Sequence, residues 1–196
     1  MTFALLVGCS RGGDQRPEPP ADEPAPSWDV VAEELDEALL SVGGSSARDV
    51  WAVGADRGNG PLVLHWDGSS WQRHATGSRG DLWWVHGFAD GSAVFGGGGG
   101  SLLRWDGERF ESMKPPSLAR QTIFGVWGYA PDDLYAVGSS TGRDGFIWHF
   151  DGSEWRDLPL PRDLPLDEHG EVPGLFKVWG NAHAVYVVGS HGVVLR

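Results

Sequence analysis

The sequence predicts an all-β fold, a β-propeller of four four-stranded antiparallel blades, on three observations. A phrase of about forty residues, the size of a propeller blade, recurs in tandem. Each copy is built of short β-branched and aromatic runs bounded by Gly, Asp, Ser or Pro, the pattern of strands joined by tight turns. An Asp-Gly pair follows the third run of three copies, at Asp67-Gly68, Asp106-Gly107 and Asp151-Gly152. Glycine takes positive φ there without a Cβ clash, which makes the pair a strong hairpin signal.

The copies justify the elements in order. The first reads Leu39-Leu-Ser-Val-Gly-Gly44, Asp49-Val-Trp-Ala-Val-Gly54, Pro61-Leu-Val-Leu-His-Trp-Asp-Gly68 and then Trp71. The second has Leu82-Trp-Trp-Val-His-Gly87, Ser92-Ala-Val-Phe-Gly96, Ser101-Leu-Leu-Arg-Trp-Asp-Gly107 and Phe110. The third reads Ile123-Phe-Gly-Val-Trp-Gly128, Asp133-Leu-Tyr-Ala-Val-Gly138, Gly145-Phe-Ile-Trp-His-Phe-Asp-Gly152 and then Trp155. The fourth has Leu175-Phe-Lys-Val-Trp-Gly180, Val185-Tyr-Val-Val-Gly189 and Gly192-Val-Val-Leu-Arg196. Glycines 44, 87, 128 and 180 set steps of 43, 41 and 52 residues. Each copy therefore supplies strand a (Leu-x-x-Val-x-Gly), strand b (ending in Ala-Val-Gly), strand c (ending at Asp-Gly) and strand d (opening on Trp or Phe), with repeats at 39–74, 82–112, 123–157 and 175–196. Helical spacing occurs only within residues 30–40, where one or two helical turns and a loop are equally compatible.

The fourth copy lacks strand d. Trp28 stands 14 residues before Val42, as Trp71 stands 14 before Val85. Residues 28–31 are therefore expected to pair with 193–196 and close a four-bladed ring, which removes two sheet edges. The other reading is a piece of a larger propeller.

Composition narrows the partners. With 15 Lys and Arg against 27 Asp and Glu, the formal charge of -12 opposes binding to a phosphate backbone, so nucleic acid is not an expected partner. The single cysteine, Cys9, excludes an internal disulfide, and no Cys/His spacing suits zinc, so no metal and no cofactor are expected. No segment approaches the roughly 20 apolar residues that span a bilayer as a helix.

The chain opens Met1-Thr-Phe-Ala-Leu-Leu-Val-Gly-Cys9-Ser10. Leu6-Val7-Gly8-Cys9 resembles the lipobox of bacterial lipoproteins, although no Lys or Arg precedes the apolar run and that run is short for a signal peptide. The resemblance implies a signal segment over residues 1–9, lipidation of Cys9, and membrane attachment through the lipid alone. Ser10 rather than Asp after the cysteine points to the outer membrane under the best-known sorting rule for lipoproteins; secretion is the alternative. Residues 10–27 hold five prolines and no large apolar side chain, so they read as a disordered tether. The alternative is an ordinary buried N-terminal hydrophobic segment with an incidental cysteine, and the tether that follows favours the lipoprotein.

The repeated Val-Trp-Gly, Asp-Val-Trp-Ala-Val-Gly and His-x-Asp-Gly-x-x-Trp phrases over residues 28–196 resemble bacterial propellers of the neuraminidase-repeat (Asp-box) and photosystem-assembly-factor-like kinds. The resemblance implies the fold; propellers of these kinds include enzymes, assembly factors and binding modules. Asp67-Gly68-Ser-Ser-Trp71 is one residue tighter than a true Asp-box, so no sialidase chemistry is carried over.

Residues able to carry chemistry have structural readings beside them. His65 and His149 share a repeat position with Arg104 and Arg196, so they are expected to serve the blade. The run from Gly96 to Gly100 lacks the Lys-Ser/Thr of a phosphate-binding loop and reads as a loose b–c connection. Trp51, Trp66, Trp71, Trp105, Trp127, Trp155 and Trp179 recur in register and are expected in the core, as is Trp148 at a leucine position. Trp84, whose equivalents are Ser41, Gly125 and Lys177, is either a gap filler or an exposed contact. In an up-and-down sheet the b–c and d–a connections share one face, and that face carries the variable loops, including the insertion 158–174, expected to be exposed and to bury little. Arg57, Asn59, Arg143, Asp144, Asp163, Asp167, Glu168 and Glu171, with Trp84, are the candidate ligand contacts; no catalytic residue is legible. The function expected is a cell-envelope lipoprotein, monomeric, whose non-enzymatic propeller binds a protein or glycan. An envelope hydrolase or lyase with an unrecognised propeller site is the alternative.

Overall fold

The computed structural model describes residues 27–116, 121–140, 143–166 and 170–196, so the expectations for Cys9, the tether over residues 10–26, Asp167 and Glu168 lie outside the described residues. The chain divides into two units, Met1–Glu34 and Leu35–Arg196. In the first, residues 27–34 carry neither helix nor strand, and Trp28 is 99% exposed. The second holds four antiparallel sheets built from sequential strands.

Blade 1 consists of β1 (Leu39–Ser46), β2 (Asp49–Asp56), β3 (Pro61–Trp66) and β4 (Trp71–Arg73). Blade 2 consists of β5 (Leu82–Gly87), β6 (Ala93–Gly97), β7 (Leu102–Trp105) and β8 (Phe110–Ser112). Blade 3 consists of β9 (Thr122–Ala130), β10 (Asp133–Ser140), β11 (Arg143–Phe150) and β12 (Trp155–Leu158). Blade 4 has three strands, β13 (Leu175–Asn181), β14 (Ala184–Gly189) and β15 (Val194–Leu195). The architecture is a β-propeller of four blades in sequence, with strands a of neighbouring blades packed side by side as β1 on β5, β5 on β9 and β9 on β13.

The strand expected at residues 28–31 is not formed. In blades 1 to 3 strand d follows its own strand c through a local Asp-Gly turn. Glu34 has a left-handed φ of 55. No helix forms over residues 30–40, so the loop reading holds there.

Local chemistry explains the turns. Asp67 Oδ1 accepts from the backbone N–H of Ser69 and Ser70, both at 2.8 Å, and Asp106 and Asp151 make the same pair of bonds in blades 2 and 3. These bonds hold all three carboxyls below the usual carboxylate range, with the Ser69 hydroxyl the leading cause at Asp67 and the Ser153 hydroxyl at Asp151. Each aspartate builds its turn, as expected.

Register differs from the sequence reading in blade 2. Gly97, not Gly96, pairs with Leu82, so Gly97 occupies the place of Gly54, Gly138 and Gly189. Gly96 and Gly97 are buried strand residues, and only Gly98–Gly100 form the b–c turn, a single 3-10 turn. Glycine closes strand a because the blades approach there: a Cβ on Gly87 would sit 3.1 Å from Gly44 backbone, and one on Gly180 would sit 2.6 Å from the Trp127 indole.

The core lies between blades. Trp51, Val53, Val63, Leu82, Val85 and Phe95 join blades 1 and 2. Val94, Leu102, Ile123, Val126 and Trp148 join blades 2 and 3, and Val137, Leu175, Val178 and Val187 join blades 3 and 4. Trp148 is buried as expected. Of the recurring tryptophans, Trp51 and Trp155 are buried, Trp66, Trp71, Trp105 and Trp127 are half-buried, and Trp179 departs from the core reading at 58% exposed. The insertion 158–174 also departs from expectation: Leu160 and Leu164 pack against the blade 3–4 core, and Pro173 is buried.

Candidate binding face

The b–c and d–a connections share one face, and hydrogen bonds knit them into a layer. Asp56 Oδ1 accepts from Gly58 and Gly60 N–H at 2.6 and 2.9 Å, and its Oδ2 accepts from Gly80 N–H at 2.8 Å. Asp81 Oδ1 in turn accepts from Asp56 N–H at 2.8 Å. The Gly80 bond first, then the Gly58 bond, hold the Asp56 carboxyl below its ordinary range. The loop of blade 1 is thereby tied to the blade 1–2 connection. Gly98 N–H donates to Asp81 O and Ser190 N–H to Gly174 O, each at 2.9 Å, repeating the tie at blades 2 and 4.

At this end of the inner strands the second residue of strand a is aromatic in three blades. Trp83 and Phe124 meet edge to face with centroids 5.7 Å apart, and Phe124 and Phe176 meet the same way at 5.7 Å. The three rings form a row across blades 2, 3 and 4. Leu40 holds the equivalent place in blade 1. The neighbouring position carries Trp84, Gly125 and Lys177. Trp84 Nε1 donates to Val126 O at 2.7 Å, and Lys177 Nζ donates to Phe124 O at 3.1 Å, so the inner strand of blade 3 is held from both sides. Gly125 lies between them, and Lys177 Nζ stands 3.9 Å above the Trp84 ring centroid. Partial burial lowers the Lys177 ammonium pKa from its usual value. One Nζ proton is bound to Phe124 O and the cation faces an indole, which leaves donor capacity beside the aromatic row.

Of the candidate contacts, Trp84 is half-buried, with its indole N–H bonded to blade 3 and Lys177 over its ring. Arg57 and Asn59 are exposed on the loop that Asp56 organises. Asn59 lines a groove of about 430 Å³ with Arg73, His74 and Arg79, and Arg79 Nη1 also bonds Gly58 O. Asp144 is exposed near the start of β11 at φ 52, Arg143 opens that strand, Asp163 is exposed on the insertion and Glu171 is half-buried. These residues are divided among the loop after β2, the start of β11 and the insertion 158–174.

The sequence reading missed the row of Trp83, Phe124 and Phe176. A signal existed, since each follows the first Leu or Ile of its copy. It also missed that the recurring histidines have fixed carboxylate partners, with His65 Nε2 2.7 Å from Asp49 Oδ1 and His149 Nε2 2.7 Å from Asp133 Oδ1. Both pairs lie 16 residues apart in sequence. The Trp51 indole stacks on His65 at 3.9 Å, so the pair serves the blade. Among the described residues no group of three His, Cys, Asp or Glu side chains is placed to hold a metal ion.

No protein-family model matches the chain, and no curated protein matches it. Solved structures do. YCF48 from Cyanidioschyzon merolae superposes with a TM-score of 0.60 at 19% identity, over 85% of this chain and 55% of that one. A structure of YCF48 bound to D1 peptide gives 0.59 at 17% identity, over 83% and 51%. The computationally designed Ika4 protein gives 0.54 at 17% identity, over 83% and 92%. The chain thus spans about half the length of the two YCF48 structures and nearly all of Ika4. At these identities the likeness concerns the fold, and it agrees with the strand order and the packing between blades: the chain is a four-bladed β-propeller.

Proposed function

We propose that this protein is a non-enzymatic binding propeller of a bacterial cell envelope, held to the membrane by a lipid on Cys9 and a tether over residues 10–27. The b–c and d–a face takes a protein segment. The observation that carries the reading is the row of Trp83, Phe124 and Phe176 beside the Lys177 ammonium. Aromatic edges and faces accept apolar side chains, and the cation offers a point for a carboxylate in a chain that is otherwise strongly acidic. The loop layer presents this row on a backbone fixed by hydrogen bonds, which limits the ordering cost of binding. The neighbour YCF48 is bound to a peptide, which supports a protein segment over a glycan as the ligand class.

A peptide array and a glycan array probed with the full chain test the reading. Bound peptides should lose at least about tenfold in affinity on Phe176→Ala or Lys177→Glu, the scale of one well-packed contact. Glycan binding alone, or turnover in a mixed hydrolase and lyase screen, would replace the reading. Mass spectrometry of the mature N-terminus tests the anchor: an unmodified chain that retains Met1 refutes it.

A further inference from the structure

We propose that the groove between the outer strands of blades 2 and 3 binds a small organic anion, a carboxylate or phosphate carried on an apolar body. The groove shares no residue with the row of Trp83, Phe124 and Phe176, so binding at the two places is read independently.

One position of strand c sets up the site. In blades 1 and 3 it holds His65 and His149, each bonded at 2.7 Å to a carboxylate at the start of strand b, Asp49 and Asp133. Blade 2 places Arg104 there, opposite Val94 as His65 stands opposite Trp51, and Ser92 takes the place of Asp49. The side chain is larger and its carboxylate is missing. Asp90, whose carboxyl the Ser92 hydroxyl first and Arg104 to a lesser degree hold below the ordinary range, bonds to Ser92 and not to Arg104. Among the described residues none accepts a hydrogen bond from the Arg104 guanidinium, and its Nε is buried.

Arg104 lines a groove of about 450 Å³, a size that suits a small ligand. Met113, Pro115, Pro116, Phe150 and Trp155 give it apolar walls. Trp155 is 5% exposed, and its indole Nε1 is a second buried donor without a protein acceptor. Lys114 is exposed at the same groove and makes no ion pair with a described residue. The acidic residues of the lining are each held by an arginine: Arg109 Nη2 lies 2.7 Å from Glu111 Oε1, and Arg156 Nη2 lies 2.7 Å from Glu154 Oε1. Two uncommitted cations and two unmet donors therefore surround an apolar space. A buried donor without an acceptor is costly, and a carboxylate or phosphate matches the planar guanidinium fork while its apolar body covers the rings and prolines.

Other buried donors lack this setting. Trp51 Nε1 and Trp148 Nε1 belong to fully buried indoles. His74 lines the groove of Asn59, whose two arginines are engaged, Arg73 with Glu37 and Arg79 with Gly58 O.

Nuclear magnetic resonance on the isotope-labelled full chain tests this, with phenylacetate, phenyl phosphate, neutral benzyl alcohol and inorganic phosphate as probes. The Trp155 indole N–H signal, identified by its loss in Trp155→Phe, should shift on titration with at least one of the two organic anions at a Kd of about 1 mM or tighter. Which of the two binds more tightly tells carboxylate from phosphate. Arg104→Gln should weaken binding about tenfold and Lys114→Gln about threefold, and added salt should weaken it as well. Lys114 is exposed, so its variant keeps the test decisive if Arg104→Gln fails to fold. Binding of both anions weaker than about 1 mM, the result expected if water alone meets these donors, overturns the proposal. So does benzyl alcohol binding as tightly as the anions, inorganic phosphate binding as tightly as phenyl phosphate, or anion binding that neither substitution weakens.

Discussion

Trp148 gives the sharpest test of how the blades are held together. It is fully buried, stacks on Phe146 with centroids 4.1 Å apart, and pairs across the ladder with Ala136. The equivalent ladder pair in blade 1 is Ala52 with Leu64, so blade 3 fills the same place with a larger side chain. Removing the indole with Trp148→Ala should cost about 3–5 kcal/mol, the range for large buried aromatics. At about 2–4 °C per kcal/mol for a domain of this size, the melting temperature should fall by about 6–20 °C. Trp148→Leu restores what blade 1 uses. It gives up about 100 Å² of buried area, worth about 2.5 kcal/mol, but removes a buried Nε1 that has no protein acceptor, a relief of about 1 kcal/mol. The net cost should be about 1.5 kcal/mol, or about 3–6 °C. Thermal melts followed by near-UV circular dichroism read both variants. If Trp148→Ala melted within 2 °C of the parent (about 1 kcal/mol or less), or if Leu proved worse than Ala, the placement of this indole between blades 2 and 3 would be wrong.

Three further outcomes follow from the geometry. Burial depresses the pKa of His86, so its neutral form is favoured in the folded state and the stability this brings is full above the unfolded value of about 6.5 and lost as pH falls below it; melting temperature should drop from pH 7 to pH 5, and His86→Phe should flatten that slope, while an unchanged slope refutes the assignment. Asp56→Ala should release the Gly58, Gly60 and Gly80 amides, read as faster hydrogen exchange at those residues with the blade cores still protected; unchanged exchange would mean that the loop layer is held otherwise. Leu160→Ser with Leu164→Ser should lower the melting temperature, because both side chains pack on the blade 3–4 core, whereas a purely exposed insertion would leave it unchanged.

Fold was legible because it is written in positions that recur. Strand a announces itself by its Leu or Ile, Val and Gly at fixed spacing, and strand c by the Asp-Gly that follows it, since backbone geometry dictates both. The slip in blade 2 arose where five glycines in a row, Gly96 to Gly100, offer no side-chain alternation to fix a register. The candidate site was less legible for a different reason. Charged loop residues such as Arg57, Asp144 and Asp163 stand out in a sequence, yet loop length and charge carry no information on convergence. Trp83, Phe124 and Phe176 come together through packing between blades, and only the alignment of copies relates positions so far apart. Leu160 and Leu164 were hidden among prolines, which signal a turn without saying what the apolar residues between them touch.

Blades alternate in kind, which sets up a last prediction. Blades 1 and 3 carry the Asp–His pairs, whereas blades 2 and 4 place Arg104 and Arg196 at the histidine position. Blades 2 and 4 instead share a b–c turn of one design: Gly97 N–H to Ser101 O at 2.9 Å and Gly189 N–H to Val193 O at 3.0 Å, each closing a 3-10 turn. The middle residue is left-handed in both, Gly99 at φ 65 and His191 at φ 57. A side chain in that region costs about 1–2 kcal/mol against the right-handed conformation, and glycine avoids the cost while losing about 0.5–1 kcal/mol to extra freedom when unfolded. His191→Gly should therefore stabilise by about 0.5–1 kcal/mol, raising the melting temperature by about 1–4 °C, and Gly99→His should lower it by as much. Both positions are open to solvent, with nothing within 4 Å of a Cβ placed on Gly99, so packing does not compete with the backbone effect. A fall in melting temperature for His191→Gly would show that the imidazole makes an interaction worth more than the strain it bears.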